Sequence, residues 1–390
     1  MSHGQRAKAV TRRGFLRRAA GAVLVGGAAL EGGGGFAQEA GAARVVYRRL
    51  GRTNLKISHV VGAWDWNEWI YGAAVEAGIN YWHKIAGWRE IPEPIRKLDR
   101  EAWYCDVVID CFDEEGAYVQ FEWARKHLGL QYIDAFKLHS IHETAADVKN
   151  KTGFLRAFER LKAEGKVKHL AAAQHGGETA AICSAMIESG HFDHLQPAVG
   201  IVPNKAMLDM LRLAQKHDVG IIAKKVMGAV GRAQKERQIR AIVEKHLGKE
   251  GKWGAAVIKT VLAFPGVTAV TPRTANFQQL VDNLSTDGLQ PTAREAAAVD
   301  VLRRFARAEQ CSYCGQCLAG CPQRVAISDT LRYATYHSVY GSPHRARTLY
   351  AALPPSRRAN RCGDCGACEA ACPQGLRVRQ KLREAHAALV

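Results

Sequence analysis

Acidic residues are in short supply: 37 Asp and Glu stand against 55 Lys and Arg in 390 residues, a formal charge of +18. A surplus of that size would suit a nucleic-acid binder, but it is diffuse and no nucleic-acid motif accompanies it. A solvated basic surface, or a dock for an acidic partner, is the better reading. The chain also lacks an apolar run of bilayer length: the weakly apolar stretch Ala19 to Leu30 falls well short of the ~20 residues a spanning helix needs. There is no Gly-rich phosphate turn behind a first strand, which argues against an open doubly wound nucleotide-binding sheet.

What the chain does have is cysteine in a pattern. Eight of its 11 cysteines form two copies of one run, Cys311-x2-Cys314-x2-Cys317-x3-Cys321-Pro322 and Cys362-x2-Cys365-x2-Cys368-x3-Cys372-Pro373. This spacing wraps thiolates around [4Fe–4S] cubes. Zinc sites use two Cys pairs rather than a third Cys two residues on and a fourth before Pro. In two-cluster ferredoxins the fourth Cys serves the other cluster. The expectation is therefore one cluster on Cys311, Cys314, Cys317 and Cys372, and a second on Cys362, Cys365, Cys368 and Cys321. Cys105, Cys111 and Cys183 read as buried thiols.

The first 37 residues read as a signal peptide. Thr11-Arg12-Arg13-Gly14-Phe15-Leu16-Arg17 resembles the twin-arginine consensus, and Gly35 and Ala37 offer a cleavage site before Gln38. The route implied, through the twin-arginine (Tat) export machinery, carries folded proteins and suits clusters built before export. It predicts a periplasmic protein with no transmembrane segment.

Beyond Tyr47, β-branched runs alternate with helical stretches. Expected strands are Ile57–Ala63, Ile79–Lys84, Trp103–Asp110, Ile133–His139, His169–Gln174, Leu195–Ile201, Gly220–Val226 and Thr268–Pro272. Eight such strands, each followed by a helix, predict an α/β chain: a (β/α)8 TIM barrel, then a small, mostly helical ferredoxin-like domain. The expected divisions are a signal at 1–37, a barrel at 45–284, a linker helix at 285–310 and a two-cluster domain at 311–390, with a helical insertion between the Cys runs.

The opening Tyr47-Arg48-Arg49-Leu50-Gly51-Arg52-Thr53-Asn54-Leu55 is similar to the start of an aldo/keto reductase. Ala77-Gly78-Ile79-Asn80-Tyr81, Tyr132-Ile133-Asp134 leading to Leu138-His139, Phe192-Asp193-His194-Leu195-Gln196 and Pro265-Gly266-Val267-Thr268 through Asn283 follow in family order. The resemblance is strongest to the branch with a C-terminal ferredoxin-like domain. It implies carbonyl reduction by NADPH, with a Tyr acid, a Lys and an Asp that tune it, and a His that orients the carbonyl. Here His83 stands at the Asp position, Trp88 at the Tyr and Val108 at the Lys, while His139 matches. An indole N–H cannot replace a phenol as acid. For NADP, the resemblance points to Gln174, Gln196, Lys225, Arg273 and Asn283, although the family's Ser-Asn pair is Ala173-Gln174 here.

His83, Lys84, Lys137, His139, His142, His175, Gln174 and Lys225 all fall at or just past expected strand C-termini, where barrel enzymes place their sites. His83 and His139 are expected side by side, passing protons, with Lys84 steadying negative charge. Together with His142, His175 or Glu143 they could instead hold a metal. The first functional reading is an exported iron–sulfur oxidoreductase that passes electrons between a redox partner and a small-molecule substrate at the mouth. The others are a non-catalytic electron carrier or ligand-binding protein, and a reductase with tightly bound NADP.

Overall fold

The computed structural model describes residues 45–139, 142–286 and 289–390. The expected export signal lies outside the described residues. A hairpin comes first: β1 (Tyr47–Arg49) pairs antiparallel with β2 (Lys56–Ser58). Parallel strands follow: β3 (Gly62–Ala63), β4 (Tyr81–His83), β5 (Tyr104–Ile109), β6 (Ile133–His139), β7 (Val167–Gln174), β8 (His194–Pro197), β9 (Gly220–Lys224) and β10 (Val267–Thr271). They pair in sequence order, and a parallel bridge from Val60 to Val270 closes the ring. This is the expected (β/α)8 barrel.

Two strands differ from expectation. Ile57–Ala63 is not one strand. Ile57 pairs with Arg48 in the hairpin, and the chain then bends where Ser58 Oγ donates to the Val60 carbonyl at 2.7 Å and Asn80 Oδ1 accepts the Ser58 N–H at 2.8 Å. Leu195–Ile201 stops early at Pro197, which has no N–H with which to extend a ladder.

The hairpin seals the N-terminal end of the barrel. Leu50, Ile57, Val61, Tyr81, Ile222 and Ala269 form a fully buried cluster there. Gly51 is required at that seal: its φ is +49°, and a Cβ would lie 2.3 Å from the Gly220 nitrogen. The outer helices follow from amphipathic spacing and caps. In Lys205–Lys216, Met207, Met210, Leu211 and Ala214 are buried on one face, and the Asn204 side chain caps the Met207 N–H. The expected linker helix is Ala293–Glu309, started by a capping box of Thr292 and Glu295.

The two Cys runs fold alike. Each has a positive-φ residue just before its second Cys (Tyr313, Asp364) and a positive-φ glycine just after it (Gly315, Gly366). Each continues into a single helical turn, Gln316–Ala319 or Ala367–Ala370. The insertion between the runs is helical as expected, with Ile327–Ser338 and Pro343–Ala351, and the chain ends in Val378–Leu389. These helices share their own core around Ile327, Tyr350, Leu382 and Leu389. No described helix is long and apolar enough to cross a membrane.

Candidate functional site

Inward-facing residues of a TIM barrel are usually apolar and layered. Beneath this mouth the layer is polar. Asp106 on β5 is fully buried and accepts four hydrogen bonds, from Lys137 Nζ and the Lys84 N–H on Oδ1, and from Gln196 Nε2 (2.9 Å) and the Tyr81 hydroxyl (3.2 Å) on Oδ2. Burial works against its charge, but the Lys137 ammonium outweighs burial and holds the carboxyl well below its usual range. Lys137, two residues before His139 on β6, spends its three N–H bonds on Asp106, His83 Nδ1 (2.5 Å) and Gln196 Oε1 (3.2 Å). Burial lowers its pKa to about 8, opposed by Asp106.

The other His83 nitrogen, Nε2, lies 3.1 Å from Lys224 Nζ. A neutral imidazole offers one acceptor and one donor. Lys137 is charged against Asp106 and takes the acceptor, so donor–acceptor counting assigns the proton to Nε2 and a neutral amine to Lys224. Burial, then the charge of Lys137, push Lys224 well below an ordinary lysine. Burial and the same two lysines push His83 well below an ordinary histidine.

The same counting fixes His139. Arg332, from the helix Ile327–Ser338, is always a donor, and its Nη1 lies 3.1 Å from His175 Nδ1. His175 therefore carries its proton on Nε2 and donates it to His139 Nε2 at 3.0 Å. Burial, then Lys224, drive His139 down to about 2. His83 and His139, expected side by side, line one cavity, and each is hydrogen-bonded to other groups. The metal alternative fails. Among the described residues of the mouth, no three of the histidines and acidic groups come together as an ion's ligands, and His142 is packed edge-on between Phe112 and Phe154.

That cavity occupies about 460 Å³ over the polar layer. Its barrel wall includes Trp64, Trp66, His83, Lys84, His139, Lys224 and Lys225. Its roof is the insertion between the Cys runs, through Tyr336, Tyr340, Ser342 and Arg345. Lys84 and Lys225, just past β4 and β9, both have positive φ, 62° and 60°, the kind of strained backbone that collects at functional sites. Lys84 points its ammonium over the Trp64 ring at 5.0 Å. Trp88 does not reach the cavity; it is buried and donates to the Tyr71 hydroxyl at 2.9 Å.

The residues expected to hold NADP are engaged within the protein. Gln174 donates to the His142 carbonyl at 3.1 Å. Gln196 belongs to the buried layer below the cavity. Lys225 is bonded to the Tyr336 hydroxyl at 2.9 Å, Arg273 to the Tyr340 carbonyl, and Asn283 to Thr274 at 3.1 Å. With the roof holding two of the five, this set does not fit a dinucleotide.

The cysteines do fit clusters. Cys311, Cys314, Cys317 and Cys372 surround one small cavity, and Cys321, Cys362, Cys365 and Cys368 surround another. Backbone N–H groups of Tyr313 and Leu376 point at Cys311 Sγ (3.3 Å) and Cys372 Sγ (3.5 Å), the polarity that suits thiolates on iron.

Sequence reasoning missed Asp106, Lys224 and the roof. Strand parity could have found the first two. Asp106 shares a face with Val108, and Lys224, not Lys225, shares one with Ile222.

The comparisons with known proteins agree with this architecture. The aldo/keto reductase family model matches residues 107–315, just over half of the chain, and a 4Fe-4S dicluster domain matches residues 307–376. The holo form of an aldo-keto reductase from Bacillus halodurans superposes with a TM-score of 0.52 at 17% identity, covering 66% of this chain and 96% of that one. Its apo form gives 0.51 at the same identity and coverage. A Pseudomonas aeruginosa protein described as an aldo-keto reductase gives 0.47 at 18% identity, over 65% and 95% of the two chains. No curated protein matches. The chain thus belongs to the aldo/keto reductase family, as an oxidoreductase whose barrel continues into a 4Fe-4S dicluster domain.

Proposed function

We propose that this protein passes electrons, through two [4Fe–4S] clusters, between a redox partner and a small molecule in the barrel-mouth cavity. One observation carries the reading: the helix Ile327–Ser338 is a wall of both compartments, with Leu331 on the cavity of the first Cys group and Tyr336 on the mouth. The cluster cysteines are proposed to ligate in the crossed sets that share a cavity. Bound there, the clusters supply electrons one at a time. The second group includes the exposed Cys365 and is the proposed port for the partner.

The chain's own groups supply protons and position. Lys224, neutral and facing the cavity, accepts or returns a proton at Nζ. His83 Nε2–H holds that amine in place, and Lys137 with Asp106 anchors His83 from below. His139 acts through the His175–Arg332 chain as a polar wall, with Lys84 beside the entrance. The non-catalytic reading has no use for an amine kept neutral at a cavity wall, and a tightly bound NADP would have to share Lys225 and Arg273 with the roof.

The test uses reduced holoprotein under anaerobic conditions, with cluster absorbance followed as small acceptors are added. The expected result is acceptor-selective reoxidation that Lys224→Met slows by ~10²–10⁴, the usual size of a general acid–base term. Reoxidation at one rate by every acceptor, unchanged in Lys224→Met of full cluster content, would overturn the reading. Export by the twin-arginine route to the periplasm is part of the same proposal and rests on Arg12 and Arg13.

A further inference from the structure

The mouth cavity has an imbalance of charge that the proton chemistry does not use. Apart from the neutral Lys224, the basic residues Lys84, Lys225, Arg273 and Arg345 line it, against a single carboxylate, Asp65. Among the described residues none of Lys84, Lys224, Lys225 and Arg345 has a carboxylate oxygen within 4.0 Å. Elsewhere the protein pairs its charges freely, even on exposed faces such as Lys205 with Asp209 and Arg379 with Glu369. Gathering unpaired basic groups around one hollow is unfavourable, because they repel one another with little water between them to screen the charge. A bound anion removes that cost.

We infer that the cavity selects small organic anions, with an oxyanion group held between Arg345 of the roof and Lys84 of the barrel wall. The inference rests on the proposed reading of this cavity as the substrate site and names the substrate's class. Carboxylates and phosphate esters share the required chemistry. Arg345 offers a planar fork that matches two oxygens of either group. The cavity, about 460 Å³, is larger than an inorganic ion needs and is in the range of organic ligand sites. Trp64, Trp66 and Tyr340 on its wall provide apolar surface for a carbon body. Arg345 extends from the helix Pro343–Ala351, is exposed and lines the cavity, so an incoming anion can reach it.

The experiment is calorimetric titration of cluster-loaded, full-length protein with benzoate, phenyl phosphate, benzamide and inorganic phosphate. Either organic anion, or both, should bind at least about tenfold more tightly than benzamide or inorganic phosphate, with affinity falling as salt is raised. Which of the two binds tighter decides between a carboxylate and a phosphate ester. Arg345→Gln and Lys84→Gln should each weaken the favoured anion by about tenfold or more, and Arg345→Lys should recover part of the loss. Arg347→Gln, an exposed arginine on the same helix, should change nothing. Benzamide binding as tightly as benzoate and phenyl phosphate, or equal affinity in Arg345→Gln and Arg347→Gln, would overturn the inference. Inorganic phosphate matching both organic anions would overturn its organic part. The two proposals separate cleanly. Selective reoxidation by neutral acceptors without anion binding sinks the inference and leaves the electron-transfer function. Anion binding without selective reoxidation does the reverse.

Discussion

An ammonium group in the middle of a barrel is costly to bury, and Lys137 persists there because Asp106 and two further acceptors offset its desolvation. Removing one partner leaves the other charge buried alone. Lys137→Met is expected to destabilise the barrel by ~3–5 kcal/mol, and Lys137→Met with Asp106→Leu to recover much of that loss. Chemical denaturation of the holoprotein measures both, and a single variant as stable as wild type would refute the buried pair. The buried histidines set a pH dependence. Burial lowers His59 and His142 to about 4 and His194 to about 3. Below about pH 6.5 the unfolded chain takes up protons at these sites and the folded chain does not. Stability therefore falls as pH falls, by up to ~1.4 kcal/mol per pH unit for each histidine. His59 shows why it stays neutral: Nδ1 accepts the Val46 N–H at 3.1 Å, and Nε2 pairs with Thr286 Oγ1 at 2.6 Å. Thermal unfolding should move steadily lower from about pH 6.5 to about pH 4, and a flat profile there would contradict neutral burial.

At the scale of elements, the paired Cys loops make the most direct prediction. Cys372 lies with the first run's cysteines and Cys321 with the second's. Cys321→Ser should damage the cluster of Cys362, Cys365 and Cys368, and Cys372→Ser the cluster of Cys311, Cys314 and Cys317. Electron paramagnetic resonance of the reduced variants reads which cluster changes; loss confined to the mutated run would rule out crossed ligation. The barrel strands were legible because β-branched runs such as Val107–Ile109 and Ile221–Ile222 recur between helical stretches. The first strand was misread because a hairpin strand and a barrel strand adjoin through a bend at Ser58, which periodicity does not mark. His83 and His139 were found from the resemblance, but their partners were not. Arg332 and Tyr336 lie far along the chain, and nothing in the helical pattern of the insertion says which surface it will cover. Lys225, expected past a strand end, does line the cavity, while its neighbour Lys224 was passed over because position at a strand end does not say which way a side chain points.

Across the whole sequence, basic charge is distributed between the proposed leader and the rest of the chain. Residues 1–37 carry six basic side chains and one acidic one, so the proposed mature chain keeps most of the +18 surplus for an acidic partner. Replacing both Arg12 and Arg13 by Lys should keep the precursor in the cytoplasm with its clusters intact, as fractionation and iron analysis would show. Normal periplasmic accumulation of the double variant would end the export proposal. Such a protein would have to be finished before it leaves, and the helix Ile327–Ser338 gives that requirement a structural form. Its Leu331 side meets the iron–sulfur compartment, its Tyr336 side roofs the mouth, and its Arg332 sets the proton on His175. On the proposed reading, bound clusters would help to seat this helix, and the pocket beneath it would be completed only with them. Order of manufacture would then follow from the architecture: inorganic assembly first, competence toward small molecules second.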